Sequence, residues 1–396
     1  MKFLCEKCRG KGLCGKPCKI LARIKQNLPR LKENLIGKSY EIFIGHHNYP
    51  KVFSGLLASE EPNENNPEAW FKKRFDIPKI LESRSKLVYG RRKSEIKDFK
   101  GRLIPIIQEI AMASKPTEIH IDFLKPPKLI FNLDSHFPLI GNPAPIKKAN
   151  LQENPKVEKK VEYIINDTDV LSSTALLELY KSKIQISNII KIFSAGLLGK
   201  KSKRELVPTR WAITAVDSCI SQQNIKEIKN FSQISEFYLF NSEYLGNHYE
   251  IFLIPGEFQF EVIEAKIHGS VWNKNQEIIL MQDYESVYGR TDYAKNVAGG
   301  YYSPRLAVSE YLLKIKKQAS VLVLRECREE YWVPCGVGIL RETVRNALSK
   351  SPEKFSSLKD AIKSAQTRIR IPIEFFTEKS QLFKNITSQK KLTSFF

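Results

Sequence analysis

Short apolar runs, several alternating with polar residues, occur at residues 40–44 and 118–123 and again at 237–240, 249–254 and 258–263. Each predicts a strand with one buried face, and the last three predict neighbouring strands of a largely antiparallel sheet. Apolar spacing near 3.6 predicts helices over residues 104–113 and 171–180, and a third in which Val337, Leu340, Val344 and Leu348 share a face. Ser303 and Pro304 read as an N-cap and a first-turn proline for a helix through Leu313, and residues 319–324 read as a buried strand. Residues 45–50 read as a turn carrying polar side chains, with the adjacent rings of His46 and His47 expected to point apart. Residues 59–68 read as a loop that leads through Pro67 and Trp70 into a helix. Strand runs grouped before helices predict an α+β chain, not a doubly wound one.

Prolines dominate residues 126–145, and residues 147–160 are polar and charged, so a domain boundary is expected near residue 155. The predicted organisation is a small metal-binding module (1–36), an N-terminal α+β domain (37–155), a C-terminal α+β domain (156–376) and a flexible tail (377–396). Residues 379–396 carry four lysines and no acid, a composition with little to bury. The tetrapeptide Val-Tyr-Gly-Arg at 88–91 and 287–290 is short enough to recur by chance.

Charge sharpens this picture. The chain has 396 residues, 42% hydrophobic, with a formal charge of +21, and residues 1–35 hold ten Lys or Arg against two Glu. A clustered basic end is the footprint expected for phosphate contact, although lysines that merely solvate the surface give the same composition. No apolar run approaches a membrane span, and Cys5 and charged residues follow the first four at once, so the expected setting is cytoplasmic.

Four of the seven cysteines form Cys5-x2-Cys8-x5-Cys14-x3-Cys18. Four thiolates in fourteen residues suit a tetrahedral structural zinc, with an iron–sulfur cluster as the alternative, and Gly10, Gly12, Gly15 and Pro17 permit the tight turns required. Cys219, Cys327 and Cys335 lack such spacing and read as small buried apolar residues, and His248 and His268 as ordinary hydrogen-bonded side chains. At the other end, Gln389, Leu392, Phe395 and Phe396 fall together on one side of a 3₁₀ turn. One aliphatic and two aromatic anchors beside a glutamine resemble the peptide (PIP box) by which replication and repair proteins attach to the sliding clamp PCNA. The alternative is that the two phenylalanines dock on the chain's own core.

No P-loop, dinucleotide fingerprint or zinc-protease helix is present. The densest remaining chemistry comprises Arg210, Trp211, Asp217, Tyr288, Arg290, Asp292, Tyr301, Tyr302, Arg305 and Glu310, with Gly299 and Gly300 before the two tyrosines. Paired glycines at a helix start suit an anion, the arginines a phosphate, and Trp211, Tyr301 and Tyr302 a stacked base, with Tyr288 grouped among the nucleotide- or phosphate-binding candidates. Asp217, Asp292 and Glu310 are the candidates for acid, base or metal ligand. The plainer reading makes these aromatics core residues and pairs the charges with one another.

Taken together, the N-terminal cysteines, Gly45-x3-Tyr49-Pro50-x-Val52-x2-Gly55, residues 207–215, residues 299–310 and the terminal peptide resemble the archaeal Nre family of DNA repair proteins. The resemblance covers nearly the whole chain. It implies a DNA-damage response exercised through the sliding clamp, a zinc-finger-like N-terminus and two further domains, and it supplies no reaction. Two mechanisms therefore stand side by side: an enzyme acting on damaged DNA or a nucleotide-like group, and a non-catalytic adaptor that holds DNA and clamp together. RNA binding or modification suits the charge equally but leaves the clamp peptide unexplained.

Overall fold

The computed structural model describes residues 17–26, 32–99, 101–128, 136–273 and 276–388. It falls into two compact units, one of Cys5–Ile220 with Val333–Gly338 and one of Ser221–Trp332 with Ile339–Phe396. The break expected near residue 155 lies instead between Ile220 and Ser221. Helix Ile186–Ser194 packs on helix Leu103–Met112 and on the first strand, so the chain after 155 completes the first unit.

In that unit, β1 (Asn34–Ile44), β2 (Lys51–Ser59), β3 (Val88–Glu95), β4 (Thr117–Phe123) and β5 (Asn142–Leu151) close into a barrel in the order β1-β2-β3-β5-β4. The β3–β5 pair is parallel and the others antiparallel. With helix Leu103–Met112 between β3 and β4, this is the topology of the oligonucleotide-binding (OB) barrel. Helices Pro67–Lys72 and Ile77–Ser85 are added between β2 and β3.

Two sequence details make closure possible. The proline-rich stretch yields β5 because Pro143 and Pro145 lie where β5 pairs with β3, before the stretch from Ile146 that pairs with β4. Their carbonyls accept from Lys128 N and Leu124 N, and their missing N–H groups leave this part of the ladder intact. At position 90 a Cβ would stand 2.9 Å from Ile146 Cδ1 and 3.4 Å from the Phe123 ring, so glycine lets β3 approach the interior side chains.

The second unit is a six-stranded sheet of β6 (Phe237–Tyr244), β7 (Asn247–Ile254), β8 (Gln259–Lys266), β9 (Ile279–Glu285), β10 (Ser320–Cys327) and β11 (Glu353–Phe355), ordered β11-β6-β7-β10-β8-β9. β10 inserts between β7 and β8 and runs parallel to β8, so the three expected strand runs are not consecutive neighbours. Every residue of β7 and β10 is buried, as two covered faces require. One face carries helix Gly299–Ile315 and part of helix Val337–Leu348, in which Leu340, Val344 and Leu348 are buried as expected. The other carries Ala361, Ala365, Phe376, Leu382 and Phe383 from the last helices.

Those contacts correct the tail. The chain stays packed beyond 377 through helices Glu374–Lys379 and Gln381–Ser388, because Glu261 accepts from Gln381 N and Leu382 N while Leu382 and Phe383 enter the core. Gln389, Leu392, Phe395 and Phe396 lie outside the described residues, as do Cys5, Cys8 and Cys14. Among the described residues no helix is long and apolar enough to cross a membrane.

Candidate nucleic-acid interface

Strand alternation sends Gly90 inward and its neighbour Arg91 outward, where Phe53 and Lys93 stand as a cross-strand pair. The Arg91 guanidinium lies 4.1 Å from the centre of the Phe53 ring and the Lys93 ammonium 5.8 Å from it. Phe53 is half-buried and Lys93 exposed. This is a cation-backed aromatic on the β2–β3 face, the surface OB barrels use for oligonucleotides. Tyr89 is no part of the exposed surface. Its hydroxyl donates to the carbonyls of Phe43 and Phe53, and burial pushes its pKa up.

The loop between β1 and β2 extends this face. Phe53 O accepts from Gly45 N at 2.8 Å, which fixes the loop to the strand bearing the ring. The His46 and His47 rings lie side by side, centroids 4.1 Å apart and tilted by 37°, contrary to the expectation that they diverge. Asn48 takes a positive φ of 63°, and Tyr49 then meets Trp211, centroids 5.0 Å apart, with each residue 44% exposed. Trp211 is held there by Thr209, whose Oγ1 accepts from Ile44 N at 2.9 Å and so ties the start of helix Thr209–Ile228 to the end of β1. Arg210 belongs to the same helix start. Trp211 is thus a surface aromatic, and Lys51, Arg91 and Lys93 surround the face against Glu95, which pairs with Lys51 at 3.3 Å. Residues 47–50 form the expected turn, whereas Phe53, Arg91 and Lys93 come together only in the folded barrel. The basic triplet within 91–93, following a short apolar run, was the available signal.

The other candidate residues have different surroundings. Asp217, in the barrel unit, is fully buried. In the sheet unit, Tyr288 is 95% exposed, Asp292 is exposed with its carbonyl accepting from Arg290 Nε, and Glu310 takes a two-point pair from Arg345 at 2.6 and 2.8 Å. Arg290, Tyr301, Tyr302 and Arg305 do gather, around two carboxylates of β9 that the sequence reading missed. Arg290 pairs with Asp283 at 2.9 Å and lies 5.3 Å from the Tyr301 ring centre, and Arg305 grips Glu285 through two bonds of 2.9 Å while donating to Ser221. Tyr301 is fully buried against Phe260, and its pKa is pushed up by burial and then by Glu285. Tyr302 is 7% exposed, and its hydroxyl accepts from Ala294 N.

The paired glycines follow the same logic. The helix begins at Gly299, four residues before the expected cap, with Pro304 inside it, and Ser303 Oγ donates to Gly299 O. A Cβ at 300 would lie 3.3 Å from Glu264 Oε2 and 3.5 Å from Arg325 Nη1, two residues that pair within the core. Glycine at 300 therefore admits a buried ion pair of the chain itself. Further pairs, Arg328 with Glu326 and Arg368 with Glu250, continue this network beneath the sheet.

Of the four N-terminal cysteines only Cys18 is described. It is half-buried, and its Sγ accepts from Leu21 N at 3.4 Å. Among the described residues no group of His, Cys, Asp and Glu could hold a metal ion. Cys327 and Cys335 are buried as expected, and Cys219 is only partly so.

Comparison with known proteins decides the relationship. Family models described as archaeal Nre, N-terminal, and archaeal Nre, C-terminal, match residues 13–273 and 285–395. The chain belongs to the archaeal Nre family. It is 34% identical to DNA repair protein NreA of Archaeoglobus fulgidus over 99% of this chain and 98% of that protein. It is 32% identical to DNA repair protein NreB of the same organism, over 96% and 97% of the two chains. DNA repair protein NreA of Haloferax volcanii is 32% identical over 87% of this chain and 85% of its own. No solved structure matches this Nre chain. The names of these relatives support a role in DNA repair.

Proposed function

We propose that this protein is a DNA repair factor that holds single-stranded DNA across the β2–β3 face of its barrel and is brought to its sites by the sliding clamp PCNA. The observation that carries the reading is the Phe53–Arg91–Lys93 cluster beside the Tyr49–Trp211 pair, on a barrel of OB topology. Bases stack on such rings whatever their sequence, while the surrounding cations follow the backbone. Recruitment is assigned to Gln389, Leu392, Phe395 and Phe396, and a structural zinc on Cys5, Cys8, Cys14 and Cys18 is assigned the task of folding the basic N-terminus for further phosphate contacts. Two weak attachments, to clamp and to DNA, reinforce one another when both are engaged.

The test is binding of the full chain to a labelled single-stranded oligonucleotide and to its duplex, across a range of salt. The reading expects preference for the single strand and a steep fall in affinity with salt. Equal binding to both forms would remove the stacking argument and leave only general electrostatic attraction.

A further inference from the structure

The barrel unit also contains a cavity of about 280 Å³ walled by Tyr40 and Glu41 of β1, residues 63–66, residues 113–116 and the start of helix Ile186–Ser194. Its lining includes five carboxamide side chains, two serine hydroxyls and Lys191. Three polar atoms at or behind this wall are buried with no hydrogen-bond partner among the described residues: Asn65 Nδ2, Arg84 Nη2 and Glu68 Oε2. Asn65 is only 4% exposed, and its Oδ1 is engaged by Arg84, which also pairs with Glu41 at 2.7 Å. Glu68 uses its other oxygen to accept from Ser187 N at 3.3 Å. Buried polar atoms are costly to leave unpaired, so Asn65 Nδ2 on the lining points to a polar ligand that completes it.

Lys191 is the reactive group available. Its Nζ donates to the Ala113 carbonyl at 3.3 Å. Burial pulls its pKa down to about 8, with Glu41 and Glu68 opposing, so a useful share of the amine is neutral near neutral pH. A neutral, partly buried amine is a nucleophile toward carbonyl carbon. The lining also limits what enters. Tyr40 is the one aromatic on it, and its hydroxyl is tied to Glu61 O and Asn63 N, so no pair of facing rings is there to sandwich a base. Carboxamides and hydroxyls suit the oxygens of an opened sugar.

We propose that this cavity admits the ring-opened deoxyribose of an abasic DNA residue and that Lys191 condenses with its C1′ aldehyde. This rests on the single-strand reading above, which brings the damaged strand to the barrel. Nζ bonds to C1′, the aldehyde oxygen leaves as water with the two amine hydrogens, and an imine joins protein and sugar. Once protonated, the imine acidifies C2′. Glu41, the carboxylate on the lining that acts on Lys191, takes the C2′ proton, the C3′–O bond breaks and the 3′ phosphate departs. Water then hydrolyses the imine, returning the amine and an unsaturated aldehyde, and no other reactant is consumed.

The experiment offers the full chain a single-stranded oligonucleotide with one abasic site, with and without borohydride. The proposal expects a reduced adduct mapped by peptide mass to Lys191, and strand cleavage without reductant that quickens as pH rises toward 8. The groups acting on Lys191 in that profile are Glu41 and Glu68, with Arg84 behind Glu41. Lys191→Arg should abolish the adduct while oligonucleotide binding persists, and Asn65→Ala should slow its formation. Adducts scattered over surface lysines, or an adduct unchanged in Lys191→Arg, would overturn the proposal. If the wild-type chain fails to bind the oligonucleotide, the single-strand reading falls. Free 2-deoxyribose 5-phosphate then probes the cavity directly, and absence of a reduced adduct at Lys191 with that sugar sinks the inference.

Discussion

Arg91 stands with its guanidinium 4.1 Å from the centre of the Phe53 ring, on the strand neighbouring the one that bears the ring. A guanidinium so placed presents a flat cation to a phosphate while leaving part of the ring open to a base. Arg91→Ala should therefore weaken single-strand binding similarly across sequences and lower the slope of log affinity against log salt by about one, the share of one phosphate contact. Anisotropy titrations at several salt concentrations measure this. An unchanged slope would place Arg91 outside the phosphate path.

The Arg305–Glu285 pair makes the opposite prediction. Both groups are buried and joined by two bonds, so removing one leaves the other charged and unpaired. Arg305→Ala should destabilise the protein by about 3–5 kcal/mol in denaturant unfolding. Arg305→Met with Glu285→Leu should recover much of that loss. Weakened DNA binding by Arg305→Ala with unchanged stability would show the arginine facing a ligand instead.

This contrast marks what was legible in the sequence. Strand and helix periodicity located most elements, since Ile119 and Ile121, or Val344 and Leu348, are placed by local alternation alone. Strand order was not legible, because β10 reaches its place between β7 and β8 from some sixty residues downstream of its partner β8. Pro143 and Pro145 concealed β5, whose usable pairing pattern depends on which neighbour lies beside each half. Arg305 and Tyr301 were recognisable as unusual residues. Their burial depends on Glu285 and Asp283, which only the folded sheet brings to them.

A pH dependence follows from His248. Burial lowers its pKa, but hydrogen bonds to Glu243 and Glu250 outweigh this and hold it raised, while the His248 bond is the first cause holding Glu243 down. A raised histidine contributes stability that is present below the ordinary value of about 6.5 and is lost as pH climbs through the raised folded value. The lowered Glu243 contributes above the ordinary carboxylate range and loses its share as pH falls. Unfolding midpoints measured from pH 4 to 9 should decline on both sides, and His248→Gln should flatten the alkaline decline.

Both termini are testable by composition and capture. Metal analysis should find about one zinc per chain, released by Cys-to-Ser changes at positions 5, 8, 14 or 18, whereas a brown protein would favour the iron–sulfur alternative. Phe395→Ala with Phe396→Ala should abolish capture by the sliding clamp without lowering the melting temperature. Earlier melting would show that the two rings dock on the chain's own core.

The most direct measurement is the affinity of the full chain for a single-stranded oligonucleotide before and after Phe53→Ala and Trp211→Ala, with thermal melting as the control for folding. Loss of about 1–3 kcal/mol per ring, the range for a base stacked on an aromatic side chain, with melting unchanged, is the predicted result. Affinity unaltered by either substitution in a folded protein would contradict the assignment of this face to DNA.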